Sequence, residues 1–471
     1  MGAKGNFSVK VSRKEVVAAV LPLQEHWLPQ SNLDLLLPPL DVGVFFCYRN
    51  PTSRDEDLSH TLTFASKVSV LKKALAQTLM SYYAFAGEMV ENTVGEPELL
   101  CNNRGVDFIE AYADVELRDL DLYNPDDSVE GKLVPKKKEG VFCVQATELT
   151  CGGLVVACSF DHRVADAYST DMFLVSWAEM AQSKQPSFVP SFRRSLLNPR
   201  RPGSYDDSVH HLYVPISSLP PPKPHKPDAD KLISRIYYIE SDQLIRLQLL
   251  ASDGHKGKNK TKLEAFSALL WKMVAASVDA ERDKVCKMGI VVDGRIRLSD
   301  GDCDKLKFMS AYFGNVLSIP FGEERTNELK ERPLSWVADS VHEFLESAVT
   351  KDHFLDLIDW VEAHRPEQAL AKIYATGGSE EEGPAFVVSS GQRFPVSKLD
   401  FGWGKPMLGS YHFPWGGEAG YVMPMPSPLG NGDWVVYMHL QKGQMEVIES
   451  QAGFLLKPLT YDYLNRNKWI T

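Results

Sequence analysis

The stretch Leu154-Val155-Val156-Ala157-Cys158-Ser159-Phe160-Asp161-His162-Arg163-Val164-Ala165-Asp166-Ala167 decides how this chain is read. From Leu154 to Phe160 it is a nearly unbroken apolar run, which suits a strand buried on both faces. After a few polar residues, Thr170 to Gln182 carries Met172, Phe173, Val175, Trp177 and Met180 and reads as a helix. A two-sided buried strand feeding a helix is the signature of an α/β layer structure.

The alternation continues outward, without a detectable repeat. Leu71, Leu75, Leu79 and Tyr82 in residues 69–86 stand at helical spacing, with Gly87 as a stop, and Val141 to Thr147 is strand-like. Between about 190 and 230, Pro215, Pro220, Pro221, Pro222, Pro224 and Pro227 leave little room for regular structure. We therefore expect a domain over 1–190, a crossover over 191–230 and a second domain over 231–471. The second half opens with a strand, Ile233–Ile239, and a helix near Asp242–Leu250. Thr261 and Glu264 then form a capping box ahead of the helix Leu263–Val278. Residues 377–383 read as a flexible acidic loop. Trp434–Leu440 and Met445–Ile448 read as paired strands.

Composition narrows the function. The 471 residues are 44% hydrophobic and 24% charged, the balance of a globular protein. A net charge of −11 argues against a nucleic-acid binder, which needs a basic surface to release counterions. The seven cysteines are odd in number and lack CxxC spacing. Cys143, Cys151 and Cys158 lie in apolar stretches and read as buried thiols, so neither a zinc cluster nor a disulfide framework is expected. His210-His211 has no third ligand at metal spacing, and no metal is expected. The amino terminus has no signal-peptide run, and Asn6 breaks the myristoylation pattern. No apolar run approaches the ~18 residues of a membrane span. The expectation is a cytoplasmic protein without a membrane partner. There is no P-loop, GxGxxG, GxSxG or HExxH.

Three constellations remain. His162 follows directly from the buried strand, and a neutral imidazole, with an ordinary pKa of about 6.5, can take a proton from a hydroxyl. Such general-base help contributes about 10²–10⁴ in rate. On spacing alone a satisfied core histidine is the competing reading. Asp166, four residues on, could orient His162 from a shared helical face or point away and pair with an arginine. The second arrangement fits better, because the helix starts after Asp166, and Arg295 and Arg297 are its candidate partners; Asp166 is then structural. Next comes Leu399-Asp400-Phe401-Gly402-Trp403-Gly404, a glycine-permitted turn in which Phe401 and Trp403 anchor a carboxylate. Last is the basic run His255–Lys262, which ends at a helix amino terminus suited to anions, or is a solvated loop.

Together these motifs resemble those of the plant BAHD acyltransferases. HxxxD is His162 to Asp166, and DFGWG is Asp400 to Gly404, in the family's order. Tyr83-Ala84-Phe85-Ala86-Gly87, Val144-Gln145-Ala146-Thr147, Cys151-Gly152-Gly153 and Tyr312-Phe313-Gly314-Asn315 resemble family flanks. Within the family the chain is most similar to coniferyl alcohol acyltransferases and hydroxycinnamoyltransferase-like members. Residues 31–41, 100–108 and 161–168 carry that likeness.

The resemblance implies two similarly folded, chloramphenicol-acetyltransferase-like α/β domains with mixed sheets, joined by a crossover loop, with an active-site channel between them. It implies acyl-CoA as donor substrate, no permanently bound cofactor, a small aromatic alcohol as acceptor, and a monomer. His162 would be the general base and Ser389 a hydroxyl near the carbonyl oxygen. Asp400 is assigned to catalysis in some accounts, although its motif, with Trp403, sits away from His162 and supports the channel. Asp166 and Arg295 would support the site. Lys258, Lys260, Thr261 and Lys262 would touch the CoA phosphates. Ala167 replaces the family's usual glycine. Gly391 stands where shikimate-using relatives carry a tryptophan, and no arginine lies near Thr376 to bind a carboxylate. An uncharged aromatic acceptor is therefore expected. The alternatives are transfer to shikimate, quinate or an amine, coumarin-forming lactonisation, thioester hydrolysis, or a non-catalytic ligand-binding member.

Overall fold

A computed structural model describes residues 7–50, 62–219, 231–252, 260–375 and 381–466. Its strand-forming segments assemble into two large mixed sheets. The strands needed here are β1 (Val9–Val17), β2 (Asp41–Tyr48), β3 (Val106–Ala113), β4 (Phe142–Leu149), β5 (Leu154–Asp161), β6 (Leu232–Ile239), β7 (Val285–Ile290), β8 (Phe321–Arg325), β9 (Glu382–Val388), β10 (Leu408–His412), β11 (Gly420–Pro426), β12 (Trp434–Gln441) and β13 (Lys457–Pro458). The first sheet runs β1-β3-β4-β5-β2-β10 and the second β8-β7-β9-β11-β12-β6-β13. Each has one or more parallel contacts, β3 with β4 in the first and β9 with β7 and β11 in the second.

Every residue of β5 is buried, as the apolar run predicts for a strand covered on both sides. The helix that covers it, α2 (Ala167–Ala181), lies beside α1 (Phe64–Thr78). Trp177 on α2 donates its indole N–H to the Leu71 carbonyl of α1 at 3.0 Å, which fixes the helices against each other. In the second half, α4 (Lys262–Ala276) starts at the expected capping box of Thr261 and Glu264, after α3 (Ser241–Ser252).

Several expectations are corrected. The helix of residues 69–86 begins at Phe64 and ends at Thr78, whose hydroxyl bonds back to the Ala74 carbonyl at 2.8 Å. Residues Tyr83–Ala86 form a separate 3₁₀ turn. Met445–Ile448 is no strand; it lies in the helix Lys442–Ala452, capped by Gln441 and Gln444. Met445, Ile448 and Ala452 are its buried apolar positions, three and four residues apart, which is helical spacing too short to recognise in a brief apolar run. Cys151 is exposed in the turn before β5, whereas Cys143 and Cys158 are buried; all seven thiols are free. Burial pushes Cys143 up to about 12.

The halves also interlock. β10 crosses back to pair antiparallel with β2, Leu408 opposite Cys47 and His412 opposite Gly43. The segment 191–219 is not a bare linker. It contains a short helix, Val209–Leu212, and a strand, Tyr213–Pro215, paired with Ala369–Ala371. Its proline-rich part, 220–230, lies outside the described residues, as do residues 1–6 with the myristoylation pattern and residues 376–380 of the acidic loop. Among the described residues no helix is long and apolar enough to cross a membrane.

Candidate active site

His162 is the first residue beyond β5. Its N–H donates to the Leu40 carbonyl at 2.9 Å, and its own carbonyl accepts from the Asn315 side-chain amide at 3.0 Å. These two bonds fix the backbone from which the ring projects. Nδ1 is sealed away without a hydrogen-bond partner among the described residues. The half-buried imidazole forms part of the wall of a cavity of about 440 Å³. That is room for a small organic ligand.

Asp166 turns away from His162. It is the N-cap of α2 and accepts the Ser169 N–H at 2.9 Å. Arg295 grips it with two guanidinium nitrogens, at 2.7 and 3.1 Å. Both side chains are buried, Asp166 wholly and Arg295 to 2% exposure. Arg295 also donates to Ser169 Oγ, to the Tyr312 and Gly314 carbonyls and to Asp293 Oδ1 at 3.3 Å, while its buried Nε has no hydrogen-bond partner among the described residues. The Val316 N–H adds another bond to Asp166 at 3.1 Å. This pair ties the turn that carries His162, in the first half, to residues 295–316 in the second.

The cavity draws its walls from both halves. Leu40 and Val42 come from the first sheet's side, and Ile290 and Ser389 from the ends of β7 and β9. Ser389 is 8% exposed, and its N–H donates to the Val422 carbonyl at 2.8 Å. Tyr421 lines the same space, and burial pushes its phenol up to about 12, the Ser389 hydroxyl acting against that shift. The hydroxyls of Ser389 and Tyr421 are thus among those that share the cavity with the imidazole. Gly391 is also in the wall, where a Cβ would stand 2.8 Å from the Pro424 carbonyl and 2.7 Å from Met425 Cγ. The backbone passes too close there for a bulky ring.

Other expected residues lie elsewhere, Asp400 among them. Its Oδ1 accepts the N–H groups of Gly402 and Gly404 at 2.8 and 3.0 Å, and its carbonyl accepts from Gln182 at the end of α2. It is not among the residues around the cavity. Gly402 and Gly404 have φ of 107° and 99°, which only glycine adopts readily. Trp403 stacks on Phe401, which meets Trp177 of α2 edge-on at 4.9 Å. The motif thus closes a tight loop and braces the helix whose first turn holds Asp166.

The basic run also changes meaning. Lys258 lies outside the described residues. Lys260 is 5% exposed and pairs with Asp339 at 2.8 Å, so it is no free ammonium awaiting a ligand. The Thr261 hydroxyl caps α4, and Lys262 begins that helix half-buried. Among the described residues no cluster of His, Cys, Asp or Glu could hold a metal.

Sequence reasoning missed Asn315, Asp34 and Tyr421. The Asp34 carboxylate accepts the backbone and side-chain N–H groups of Asn315 at 2.7 and 2.9 Å, and the Ser31 hydroxyl at 2.7 Å. Only the YFGN string and the segment 31–41 hinted at this junction.

With this geometry in place, comparison with known proteins is decisive. A model of the Transferase family matches residues 7–455. The chain belongs to this family. As a BAHD-type member of the Transferase family it is an acyltransferase. It is 26% identical to the shikimate O-hydroxycinnamoyltransferase of Nicotiana tabacum over 94% of this chain and 98% of the relative. It is 27% identical to the (Z)-3-hexen-1-ol acetyltransferase of Arabidopsis thaliana over 96% of each. The crystal structure of F. sporotrichioides TRI101, complexed with coenzyme A and T-2, has a TM-score of 0.70 at 16% identity. It covers 91% of this chain and 97% of that one, which shows a shared fold. The two-part α/β architecture with mixed sheets is that of the family.

Proposed function

We propose that this BAHD acyltransferase moves an acyl group, acetyl or hydroxycinnamoyl such as feruloyl, from acyl-CoA to a phenylpropanoid alcohol such as coniferyl alcohol. The carrying observation is a histidine, anchored by its backbone, on the wall of an apolar-rich cavity shared with Ser389 and Tyr421. His162 takes the proton from the acceptor hydroxyl as that oxygen attacks the thioester carbonyl. A tetrahedral intermediate forms and collapses to ester, expelling CoA thiolate, which recovers the proton from His162. Negative charge grows on the carbonyl oxygen meanwhile, and donors aimed at it speed the step. Ser389 and Tyr421 are the hydroxyls in reach of that role.

Asp166, Arg295 and Trp403 support the turn and α2 and stay out of the chemistry, and so does Asp400. Thr261 and Lys262, with Lys258 beyond the described residues, are the proposed CoA-phosphate contacts; Lys260 serves Asp339 first. The close backbone at Gly391 supports an acceptor without the ring contact used by shikimate-dependent relatives. Purified protein incubated with acetyl-CoA and feruloyl-CoA, with and without coniferyl alcohol, tests this by product mass. An ester that needs both substrates is expected. Thiol release without acceptor would point to hydrolysis, and no release with any acceptor to a silent binding protein.

A further inference from the structure

Two acids stand in the cavity wall; Asp293 is bonded to Arg295, and Asp171 is left unused by the reaction scheme. Asp171 sits on α2, five residues past the N-cap Asp166, which places it roughly 7.5 Å further along the axis. It lines the same cavity as His162. Its Oδ1 accepts the Tyr411 hydroxyl at 3.2 Å, the one hydrogen bond this carboxyl receives among the described residues. Tyr411 is 2% exposed on β10, locked between α2 and the first sheet, so Oδ1 is committed. Oδ2 is left to whatever fills the cavity.

Burial pushes the Asp171 carboxyl well above the carboxylate range, and the Asp166 charge adds to this against the pull of the Tyr411 bond. Tyr411 is raised by burial as well, and remains a donor. Asp171 is half-buried, facing the cavity, and whatever fills the cavity, water or ligand, must supply the partner for its free oxygen. The chemistry of that partner follows from the carboxyl itself. An ammonium pairs only with the ionised form, which burial penalises. A carboxylate pairs only with the protonated form. A hydroxyl both donates and accepts, and pairs with either. The rings of Tyr168, Phe394, Phe413 and Tyr421 line the same cavity, together with Asp293, Arg297 and Arg393, whose guanidinium lies over the Tyr168 ring at 5.7 Å.

We propose that Asp171 is a specificity-determining residue of the acceptor pocket, taking through Oδ2 a hydroxyl group on the acceptor's aromatic ring. This rests on the acceptor reading above and adds which end of the acceptor is read. His162 handles the alcohol to be acylated, and Asp171 the phenol. A site built around such a hydroxyl rejects the analogue lacking it, because a buried polar group is then left unpaired.

The test compares p-coumaryl alcohol with cinnamyl alcohol, which differ by the ring hydroxyl alone, in the full-length protein. A wild-type preference of about 10–10²-fold in kcat/KM for the hydroxylated alcohol is expected, the cost of leaving one polar group unpaired. It should fall to within a few-fold in Asp171→Leu, with Asp171→Ala as the second variant and melting curves to certify folding. Calorimetric titration of each alcohol into wild type and variants reads the same preference without turnover. A preference that persists in the variants, or that is absent from wild type in both binding and turnover, overturns the role of Asp171. A binding preference lost on substitution in a protein that makes no ester upholds that role and overturns the acyl-transfer reading instead.

Discussion

The side-chain amide of Asn315 donates to the main-chain carbonyl of His162 at 3.0 Å, across 153 residues of chain, while its other bonds go to Asp34 and the Arg163 carbonyl. The proposed base is thus positioned through its backbone by a residue from the other half. Asn315→Ala frees one edge of the turn and should lower kcat by about 10–10² with a smaller change in KM, since ångström-scale misplacement of a reacting group costs that much. Steady-state kinetics on folded variant reads this. An unchanged kcat would show that the turn holds itself.

Asp166→Asn should cost far more stability than activity. It removes the two-point counter-charge of the buried Arg295 guanidinium and leaves it Asp293 at 3.3 Å, and breaking a buried pair costs about 3–5 kcal/mol. Denaturant unfolding should show that loss. At low temperature, the fraction that remains folded should keep a kcat within about tenfold of wild type. A catalytic triad member would instead lose rate at full stability.

Asp400→Ala tests whether the DFGWG motif acts in structure or in chemistry. The bonds to Gly402 and Gly404 lie near solvent, so the freed amides can turn to water and the cost should be about 1 kcal/mol. Turnover per folded molecule should change by no more than a few-fold. A loss of 10³ or more in kcat would return Asp400 to the chemistry.

His353 gives the fold a pH dependence of defined sign. Burial lowers it from 6.5 to about 4, and its Nε2 contacts the Ser318 hydroxyl at 2.8 Å. Between those values the unfolded chain binds a proton that the native one does not, so stability falls as pH drops from 6.5 towards 4. One such proton is worth up to about 1.4 kcal/mol per pH unit. Unfolding curves at pH 7 and pH 5 should lie closer together in His353→Gln than in wild type.

Local signals were legible in sequence. The run Leu154–Phe160 shows two-sided burial directly, Thr261 and Glu264 name their capping box, and the helix start after Asp166 was enough to turn that carboxylate towards an arginine. What stayed hidden depends on residues far apart. Asn315 meets the His162 carbonyl across 153 residues of chain, where Arg295 and Asp166 also pair, and no local pattern encodes that. β10 joins the first sheet from a position 360 residues past its neighbour β2, Leu408 facing Cys47, so the split at 231 missed it. Met445–Ile448 shows one helical turn of apolar residues, too little to separate a strand from a helix until Gln441 and Gln444 are seen to cap it.

The central claim is that His162 takes the acceptor's proton. Single-turnover ester formation from feruloyl-CoA and coniferyl alcohol, measured for wild type and His162→Ala alongside calorimetric CoA binding, tests it most directly. The account predicts a fall of at least about 10² in rate with CoA affinity unchanged. Ester formation at the wild-type rate in the variant would contradict it.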